Sequence, residues 1–465
     1  MNSIKFYLDQ HGCAKNQTDG EILVTYLTKE GFQLTKNADE ADYILINSCG
    51  FIASAKKESI DAIYSIKSNY PNARIILTGC LAERYSQMLF DSIPELDGIF
   101  GNGDLSKIVE FMHQLEKEKR YLKIYPQKGV CFASRKILYN FKGSAFVKIT
   151  EGCSHHCTFC AIPVIRGEVR SRTIQSVVTE IKELISQGVY EINLIGQDLA
   201  AFDGGLVNLF REISKLEGDF IVRPLYIHPD NFSLEIAEFI STDKRFVPYF
   251  DIPFQSGDDK IIKMMNRTGT SKEYLEKING LRKILPNSVL RTTFLTGFPG
   301  ETEEAAENTV KFLQSIQPDW SGCFPYSREE DTPAYKFKNR VSQKIAKKRA
   351  ERLEEIQSEI TNQKLKKYIG QELKVLVEEV IPMEENSSEE NTEGLAIGRA
   401  WFQAPEVDGC VVIRYESELQ SEKDSVKSGN VVLVKILSVN GVDLDSRFIS
   451  LEREFLPNKN IQFLN

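Results

Sequence analysis

The first hundred residues of the chain alternate short apolar runs with helical segments, and a cysteine follows each run. The runs are Ile4–Leu8, Tyr43–Ile46 and Arg74–Leu77, and the cysteines after them are Cys13, Cys49 and Cys80. Apolar runs separated by helices are typical of a parallel sheet that helices cover on both faces. The pattern predicts a doubly wound α/β domain at the start of the chain, with a first helix over 17–30 that Gly31 ends.

The placement of these three cysteines predicts a shared site. The carboxyl ends of parallel strands meet at one edge of the sheet, where doubly wound sheets bind their ligands. We therefore expect Cys13, Cys49 and Cys80 at the same edge. Three unrelated buried thiols are the alternative, since free cysteine is often buried.

A second alternation of strands and helices begins at residue 145. Six further strands are predicted, at Ala145–Ile149, Glu191–Ile195, Val222–Ile227, Tyr249–Ile252, Leu290–Leu295 and Ser321–Pro325. Six βα units are two fewer than a closed (β/α)₈ barrel needs. This region therefore predicts an open, partial (β/α)6 barrel, which a mixed-charge helical segment over 341–368 closes.

The last ninety residues contain short runs with the alternation typical of β-strands. The runs are Leu373–Val377, Val411–Tyr415, Val431–Leu437 and Phe448–Leu451, and the acidic stretch Glu384–Glu390 is expected to form a loop between strands. A small all-β barrel fits this pattern best.

Composition excludes several classes of protein. The chain has 465 residues and a formal net charge of −8, which argues against a protein whose main role is to coat nucleic acid. No stretch approaches the ~18 consecutive apolar residues of a transmembrane helix, and the polar N-terminus has no signal-peptide core. We expect a cytoplasmic protein, in which nine cysteines favour metal binding or burial over disulfides.

Cys153, Cys157 and Cys160 follow the first strand of the partial barrel with the spacing C-x₃-C-x₂-C. Three thiolates in one loop can converge on one iron–sulfur cube, and the absence of a fourth ligand leaves one iron open to a substrate. Structural zinc, with His155 or His156 as the fourth ligand, is the alternative. Zinc modules usually show paired C-x₂-C units or a spaced histidine pair, so the spacing favours an open cluster.

This motif, with Phe159 before its last cysteine, resembles the radical S-adenosylmethionine enzymes, and the wider pattern resembles their methylthiotransferase family. The segments that carry this resemblance are Gly12–Asn16, Asn47–Ile52, Thr78–Cys80, Ile162–Glu168 and Thr296–Thr302. The C-terminal barrel is similar to a TRAM domain, so the resemblance covers nearly the whole chain. It implies an N-terminal methylthiotransferase domain over 1–115 that holds a second iron–sulfur cluster, a radical SAM core over 140–368 and a TRAM-like β-barrel over 371–455.

The resemblance implies two [4Fe–4S] clusters and S-adenosyl-L-methionine as cofactors. The cysteine triad Cys153, Cys157 and Cys160 would hold the cluster whose open iron binds S-adenosylmethionine, and the triad Cys13, Cys49 and Cys80 would hold the second cluster, which carries the sulfur. No side-chain acid or base is assigned a catalytic role.

Two further residues are weaker candidates for cofactor binding. Phe159 would contact the adenine, with packing under the loop as the alternative, and Gln197 would face the cofactor from just beyond the second barrel strand. Arg166 is expected to meet the cofactor carboxylate or to form a surface ion pair, and His155 and His156 are expected to face solvent.

Within the family, one branch modifies tRNA adenosines and another modifies the β-carbon of an aspartate in a small-subunit ribosomal protein. Cys49–Ser59, Gly322–Ser327 and Ala396–Gly409 look like the ribosomal-protein branch. Two features depart from it, because Ala14 stands where that branch usually has proline and Phe254–Gly257 is closer to the tRNA branch.

The charge of the C-terminal region favours a protein substrate. Residues 371–465 carry 9 Lys and Arg against 18 Asp and Glu, whereas the rest of the chain is nearly neutral. Such a domain would repel tRNA and would suit a basic ribosomal protein. A surface that only confers solubility is the alternative explanation of this charge.

The expected partners are thus a basic small-subunit ribosomal protein as substrate and an electron donor, without a membrane. The same chemistry on tRNA is one alternative. A non-catalytic iron–sulfur scaffold that docks on the ribosome is another, and it would need no open iron.

Overall fold

The computed structural model describes residues 4–382, 393–457 and 461–464. The acidic stretch Glu384–Glu390, expected to form a loop, lies outside these residues.

The N-terminal part of the chain alternates strands and helices as far as residue 123. Its elements are β1 (Lys5–Gln10), α1 (Ala14–Glu30), β2 (Gln33–Leu34), β3 (Tyr43–Ser48), α2 (Ala53–Asn69), β4 (Arg74–Gly79), α3 (Cys80–Ser92), β5 (Gly98–Phe100), α4 (Ile108–Leu115) and β6 (Tyr121–Lys123). The strands form one parallel sheet in the order β2-β1-β3-β4-β5-β6. This order has its topological switch point between β1 and β3, which confirms the doubly wound domain.

Both faces of this sheet are covered, because successive side chains of a strand point to opposite sides. Leu45 packs in a cluster with α1 and α4, whereas Ile44 and Ile46 pack in a second cluster with α2 and α3. Helix α1 begins at Ala14, three residues earlier than predicted. Gly31 ends it, as predicted, in the left-handed conformation that glycine adopts without strain.

The central part contains the six predicted barrel strands. Its elements are β7 (Ile137–Leu138), β8 (Ser144–Lys148), β9 (Thr150–Glu151), α5 (Ile162–Arg166), β10 (Arg170–Ser171), α6 (Ile174–Ser186), β11 (Glu191–Ile195), α7 (Leu206–Ile213), β12 (Ile221–Pro224), α8 (Leu234–Ile240), β13 (Tyr249–Asp251), α9 (Asp259–Met264), α10 (Ser271–Ile284), β14 (Val289–Thr296), α11 (Glu303–Ile316), β15 (Trp320–Pro325) and α12 (Gln343–Leu365).

The six barrel strands form two parallel three-stranded sheets, β8-β11-β12 and β13-β14-β15. A parallel bridge from Val222 to Phe246 joins the two sheets, and Ile227 N–H donates to the Asp251 carbonyl at 2.9 Å. The strands therefore follow one another around an open (β/α)6 barrel, which confirms the predicted architecture.

The C-terminal part is a closed five-stranded barrel with the strand order β16-β17-β18-β20-β19. Its elements are β16 (Glu372–Ile381), β17 (Glu393–Ala400), β18 (Val411–Glu416), α13 (Gln420–Ser425), β19 (Val431–Asn440), β20 (Asp443–Arg453) and β21 (Gln462–Phe463). The four predicted runs lie in its strands, and β17 is the strand that the prediction missed. The last strand, β21, pairs with β7 outside this barrel.

The C-terminal barrel packs against the amino ends of the central strands. Glu191, the first residue of β11, accepts hydrogen bonds from the Arg399 guanidinium, and Tyr249 at the start of β13 donates to Asp408 at 2.6 Å. The Trp320 indole N–H, at the start of β15, donates to the Phe402 carbonyl at 2.8 Å. These contacts occupy one end of the central barrel and leave its carboxyl ends to face the N-terminal domain. Among the described residues, no helix has the length and apolar composition that a bilayer crossing requires.

Candidate functional site

The structure brings Cys13, Cys49 and Cys80 to one edge of the N-terminal sheet. They follow the carboxyl ends of β1, β3 and β4, which are neighbours in the sheet. A Cβ placed on Gly12 would lie 3.3 Å from the Cys49 Cβ. We call these three residues the strand-end triad.

The backbone at this edge is tightly packed. Gly79 has a φ of 87°, and a Cβ there would lie 2.5 Å from the Ser48 carbonyl oxygen. This conformation and this space admit only glycine without strain. Gly79 thus lets β4 turn directly into α3, whose first residue is Cys80.

The three thiols differ in their surroundings. Cys13 is exposed, Cys49 is half-buried and Cys80 is buried. Burial raises the pKa of the Cys80 thiol to about 12 and also raises the pKa of Cys49. Because thiolates are the metal ligands, binding a metal or cluster here must release protons.

Arg166 lies between this triad and the central barrel. The side chain is buried, and Nη2 donates to the Cys80 sulfur at 3.1 Å. Nη1 donates to Asp19 Oδ2 at 2.8 Å and to Glu151 Oε1 at 2.5 Å. The predicted surface ion pair of Arg166 was wrong, because its partners are buried and belong to two domains, whereas its contact with a cofactor carboxylate stays a prediction. Lys148 pairs with the same two carboxylates.

Cys153, Cys157 and Cys160 lie in the loop between β9 and α5, and we call them the loop triad. Backbone bonds fix the loop, since Cys153 N–H donates to the Gly167 carbonyl at 3.0 Å and Cys160 N–H to the Cys157 carbonyl at 2.9 Å. Ile162 N–H donates to the Cys160 sulfur at 3.4 Å. Burial raises the pKa of Cys153 to about 11 and that of Cys160 to about 12.

A polar cluster supports the loop triad from the next barrel strands. His155 stacks on His228 with ring centroids 3.6 Å apart, and its Nε2 lies 2.8 Å from Asp198 Oδ2. Asn231 Nδ2 donates to the same carboxylate oxygen at 2.7 Å, and His228 Nε2 lies 3.7 Å from the Cys157 sulfur. The prediction that His155 faces solvent was therefore wrong.

The other predicted residues have different outcomes. His156 is exposed, as expected, and its Nε2 lies 3.2 Å from Glu168. Phe159 packs in a small apolar cluster with Phe298 and Tyr326, which favours the alternative of packing under the loop. Gln197 is half-buried, and its Nε2 lies 3.5 Å from Glu151 Oε1. The roles of Phe159 and Gln197 toward a cofactor remain predictions.

Sequence reasoning missed a lysine at the mouth of the barrel. The Lys15 ammonium lies 3.0 Å from the centroid of the Tyr226 ring, just beyond the end of β12. Among the described residues, no carboxylate lies within ion-pair distance of it. Burial lowers the pKa of Lys15 to about 8. Its position two residues after Cys13 was the signal available in the sequence.

In the part of the chain that the structure describes, no three His, Cys, Asp or Glu side chains are arranged to hold a single metal ion. Each thiolate of an iron–sulfur cluster binds a different iron, whereas zinc draws all its ligands to one ion. The thiols of each triad are therefore not placed to bind one common ion, and both triads stay candidate sites for an iron–sulfur cluster.

Three sequence families match successive parts of the chain. Residues 5–101 match the uncharacterized protein family UPF0004, residues 147–313 match the Radical SAM superfamily and residues 369–449 match the TRAM domain. The second match contains the loop triad, and the first contains the strand-end triad.

Solved structures with the same fold belong to radical enzymes. The radical S-adenosylmethionine methyltransferase TsrM from Kitasatospora setae, with cobalamin and a [4Fe–4S] cluster bound, superposes with a TM-score of 0.55 at 14% identity over 72% of this chain and 74% of its own. The cobalamin-dependent S-adenosylmethionine radical enzyme OxsB superposes with a TM-score of 0.52 at 14% identity over 76% and 56%. At these identities the likeness shows the fold alone.

Curated relatives match along almost their whole length. The ribosomal protein uS12 methylthiotransferase RimO of Treponema denticola is 45% identical over 94% of this chain and 99% of its own. The RimO proteins of Desulfitobacterium hafniense and Thermotoga maritima are each 37% identical, over 93% and 88% of this chain and 96% and 93% of their own. The chain therefore belongs to the RimO family of radical S-adenosylmethionine methylthiotransferases.

Proposed function

We propose that this chain attaches a methylthio group to the β-carbon of an aspartate in ribosomal protein uS12 by radical S-adenosylmethionine chemistry. The observation that carries the proposal is the placement of two cysteine triads on facing domains. Arg166 links them, because it contacts Cys80 of one triad and Glu151, two residues before Cys153 of the other. Membership of the RimO family supports the same reaction.

Each triad offers three thiols, the donor set of a [4Fe–4S] cluster with one open iron. The proposed ligands are Cys153, Cys157 and Cys160 for one cluster and Cys13, Cys49 and Cys80 for the other. Bound there, the clusters supply the cleavage of S-adenosylmethionine at the loop triad and the transferred sulfur at the strand-end triad.

The chain's own residues orient these groups. The loop triad is fixed by backbone bonds and by the contact between His228 and Cys157. The strand-end triad is fixed by the register of β1, β3 and β4. Reactions of this kind need the reacting groups at fixed positions, and docking of the two domains provides them.

Lys15 is the group that we propose for the target carboxylate. Its ammonium stands beside the strand-end triad and contacts Tyr226 of the barrel. An ammonium without a carboxylate partner is available to pair with the aspartate of the substrate, and such a pair is charge-assisted. It would position the β-carbon between the two triads.

The acidic C-terminal region favours a basic protein as substrate. Residues 371–465 hold twice as many acidic residues as basic ones, 18 against 9. Nucleic-acid binding depends on contacts of Lys and Arg with phosphate. A substrate protein that belongs to the ribosome places the reaction in the cytoplasm.

Phe254–Gly257, which resembles the tRNA branch, lies in the packing of the barrel. Phe254 is buried against Tyr274 and Phe312, and the Ser256 hydroxyl lies 3.3 Å from that of Thr309. In this structure the side chains of Phe254 and Ser256 therefore contribute to the packing of the barrel. Modification of tRNA is kept as the second candidate because the chain carries a TRAM domain.

The reaction also requires an external electron donor, because cleavage of S-adenosylmethionine consumes an electron. An electron donor that reaches the loop triad is therefore one of the proposed partners.

The decisive test compares cells with and without the gene. Intact small-subunit ribosomal proteins are weighed by mass spectrometry, and nucleosides from digested tRNA are analysed in parallel. We expect a methylthio group to be lost from uS12, with tRNA unchanged. Loss from a tRNA adenosine alone would refute the protein substrate and keep the two-cluster chemistry.

Complementation separates the proposed ligands from other cysteines. We expect Cys160→Ala to leave uS12 unmodified, because the loop triad then lacks one thiolate. The matched control is Cys410→Ala, which changes a half-buried cysteine outside both triads and should restore the modification. Full modification by Cys160→Ala would contradict the ligand assignment.

A further inference from the structure

Cys80 is distinguished from the other two members of the strand-end triad by side-chain donors at its sulfur. Arg166 Nη2 lies 3.1 Å from it and Asn102 Nδ2 lies 3.9 Å from it. Among the described residues, no side chain donates to the sulfur of Cys13 or Cys49. The contact is enclosed by protein, because both Cys80 and Arg166 are buried.

Only one nitrogen of the Arg166 guanidinium, Nη1, bonds to the nearby carboxylates, so Nη2 is available to donate to the Cys80 sulfur. Asp19 and Glu151 are buried carboxylates, and Lys148 pairs with both of them. Nη1 of Arg166 adds a second cation to the same pair. Nη2 points away from them and donates to the side-chain oxygen Oδ1 of Asn16 at 3.3 Å and to the Cys80 sulfur at 3.1 Å.

We propose that Arg166 raises the reduction potential of the cluster held by the strand-end triad, through its N–H contact with the Cys80 sulfur. The inference rests on the proposed function, which places a cluster there. Reduction adds one electron to the cluster and breaks no bond, and the electron comes from a chemical reductant in the test. Hydrogen bonds to the sulfurs of a cluster are a known control of its potential. A cationic donor stabilises the more negative, reduced form.

Arg166 is a positioning residue in this proposal, because it acts through Cys80. The same guanidinium contacts Glu151, and it therefore ties the potential of one cluster to the docking of the domain that holds the other. The reducibility of the strand-end cluster then depends on the contacts of Arg166 across the interface between the two domains.

The test uses the full chain with Cys153, Cys157 and Cys160 replaced by alanine, so that only the strand-end cluster is present. The protein is reconstituted with iron and sulfide without oxygen. The midpoint potential is measured by redox titration with electron paramagnetic resonance, with and without Arg166→Gln. We expect the ratio of reduced to oxidised cluster at the parent's midpoint to fall at least tenfold, which is a shift of 59 mV toward negative potential for one electron.

Arg166→Lys and Arg172→Lys calibrate this result. Lysine keeps the charge and loses the fork of donors, so Arg166→Lys should shift the midpoint in the same direction by less. Arg172 is a buried arginine that pairs with Glu180 and does not contact a cysteine sulfur, so Arg172→Lys should leave the midpoint unchanged. An unchanged midpoint in an iron-loaded Arg166 variant overturns the inference.

If the Arg166 variants lose the cluster, a measurement on the protein with unsubstituted Arg166 tests the contact between its guanidinium and the cluster. In protein labelled with ¹⁵N-arginine, the reduced cluster should show hyperfine coupling to a guanidinium nitrogen, and absence of that coupling overturns the inference. Failure of the proposed function is recognised separately. If the triple-alanine chain binds no iron, the second cluster site itself is wrong.

Discussion

The two cysteine triads offer the same ligand chemistry but are built in opposite ways. The loop triad spans residues 153–160 and lies in one segment between β9 and α5. The strand-end triad spans residues 13–80 and depends on three strands of one sheet. Local backbone bonds fix the first, whereas strand register fixes the second.

Because the two triads are held by different contacts, we expect different substitutions to disturb them. A change in strand packing should disturb the strand-end triad and leave the loop triad intact, and a change near His155 should do the opposite. Arg166 is the contact that the two sites share, because it reaches Cys80 and Glu151. The comparison therefore predicts separable losses for most substitutions.

Removal of each triad should give the largest effect. We expect Cys13, Cys49 and Cys80 replaced together by alanine to halve the iron content and abolish methylthiolation, while S-adenosylmethionine is still cleaved. Replacement of the loop triad should halve the iron and abolish both activities. Iron analysis and detection of 5′-deoxyadenosine provide the measurements.

The matched control for these variants also removes three cysteines. Cys131, Cys323 and Cys410 lie outside the triads, and their joint replacement by alanine should keep the full iron content. Full iron after loss of either triad would show that its thiols hold no cluster.

A backbone change should break the strand-end triad alone. Gly79→Ala forces a side chain into left-handed backbone and to within 2.5 Å of the Ser48 carbonyl. We expect it to lower the free energy of unfolding by about 2–4 kcal/mol, from backbone strain and overpacking together. The iron content should fall toward that of a single cluster, because residue 79 directly precedes Cys80 and its displacement would move this proposed ligand.

Gly31→Ala is the control for backbone strain. Gly31 also has a positive φ, 106°, but apart from its chain neighbours no atom of the described residues lies within 4 Å of its added Cβ. We expect a loss of about 1 kcal/mol in urea unfolding and two full clusters. If Gly79→Ala and Gly31→Ala lowered stability and iron content equally, crowding against the Ser48 carbonyl at the sheet edge could not be the cause.

The parts of this architecture that the sequence predicted are those with a local periodic signal. All six barrel strands and the three strands before Cys13, Cys49 and Cys80 lie in short segments that are rich in apolar residues. Strand β17 was missed because Gly394 and Gly398 interrupt its pattern. Strands β2 and β6 are too short to show a period.

The contacts around the triads had no such signal. Arg166 is the last residue of the short helix α5 and would be a surface residue of an isolated barrel, but docking of α1 and α3 buries it against Asp19 and Cys80. His155 is polar and lies in a loop, yet Asp198 from a different βα unit makes it part of the site's frame. Both contacts arise from tertiary packing, which sequence spacing does not encode.

A polar substitution should test the frame of the loop triad. Asp198 accepts hydrogen bonds from Asn231 at 2.7 Å and from His228 N–H at 3.0 Å, and it faces His155. Asp198→Asn presents an amide donor to groups that need an acceptor. We expect a loss of about 1–3 kcal/mol in unfolding free energy and slower cleavage of S-adenosylmethionine.

The potential of the strand-end cluster should be unchanged in Asp198→Asn, because its contacts lie on the loop side. Asp203→Asn is the control, since Asp203 is exposed on the same segment of the barrel. If Asp198→Asn instead lost only the strand-end cluster, the assignment of Asp198 to the loop triad would be wrong.

The smallest expected effect concerns substrate binding between the triads. Lys15→Met keeps most of the apolar length of the side chain over Tyr226 but removes the ammonium. We expect KM for uS12 to rise about tenfold, which corresponds to ~1.4 kcal/mol. Iron content should remain full, because Lys15 is not one of the proposed cluster ligands.

Lys117→Met, an exposed lysine of the N-terminal domain, is the control and should leave KM unchanged. A fall in kcat at constant KM for Lys15→Met would instead place the ammonium in the chemical step. Loss of one cluster would mean that Lys15 supports Cys13. The three outcomes separate recognition of the substrate, chemistry and site assembly, and only a rise in KM keeps Lys15 as the contact for the target carboxylate.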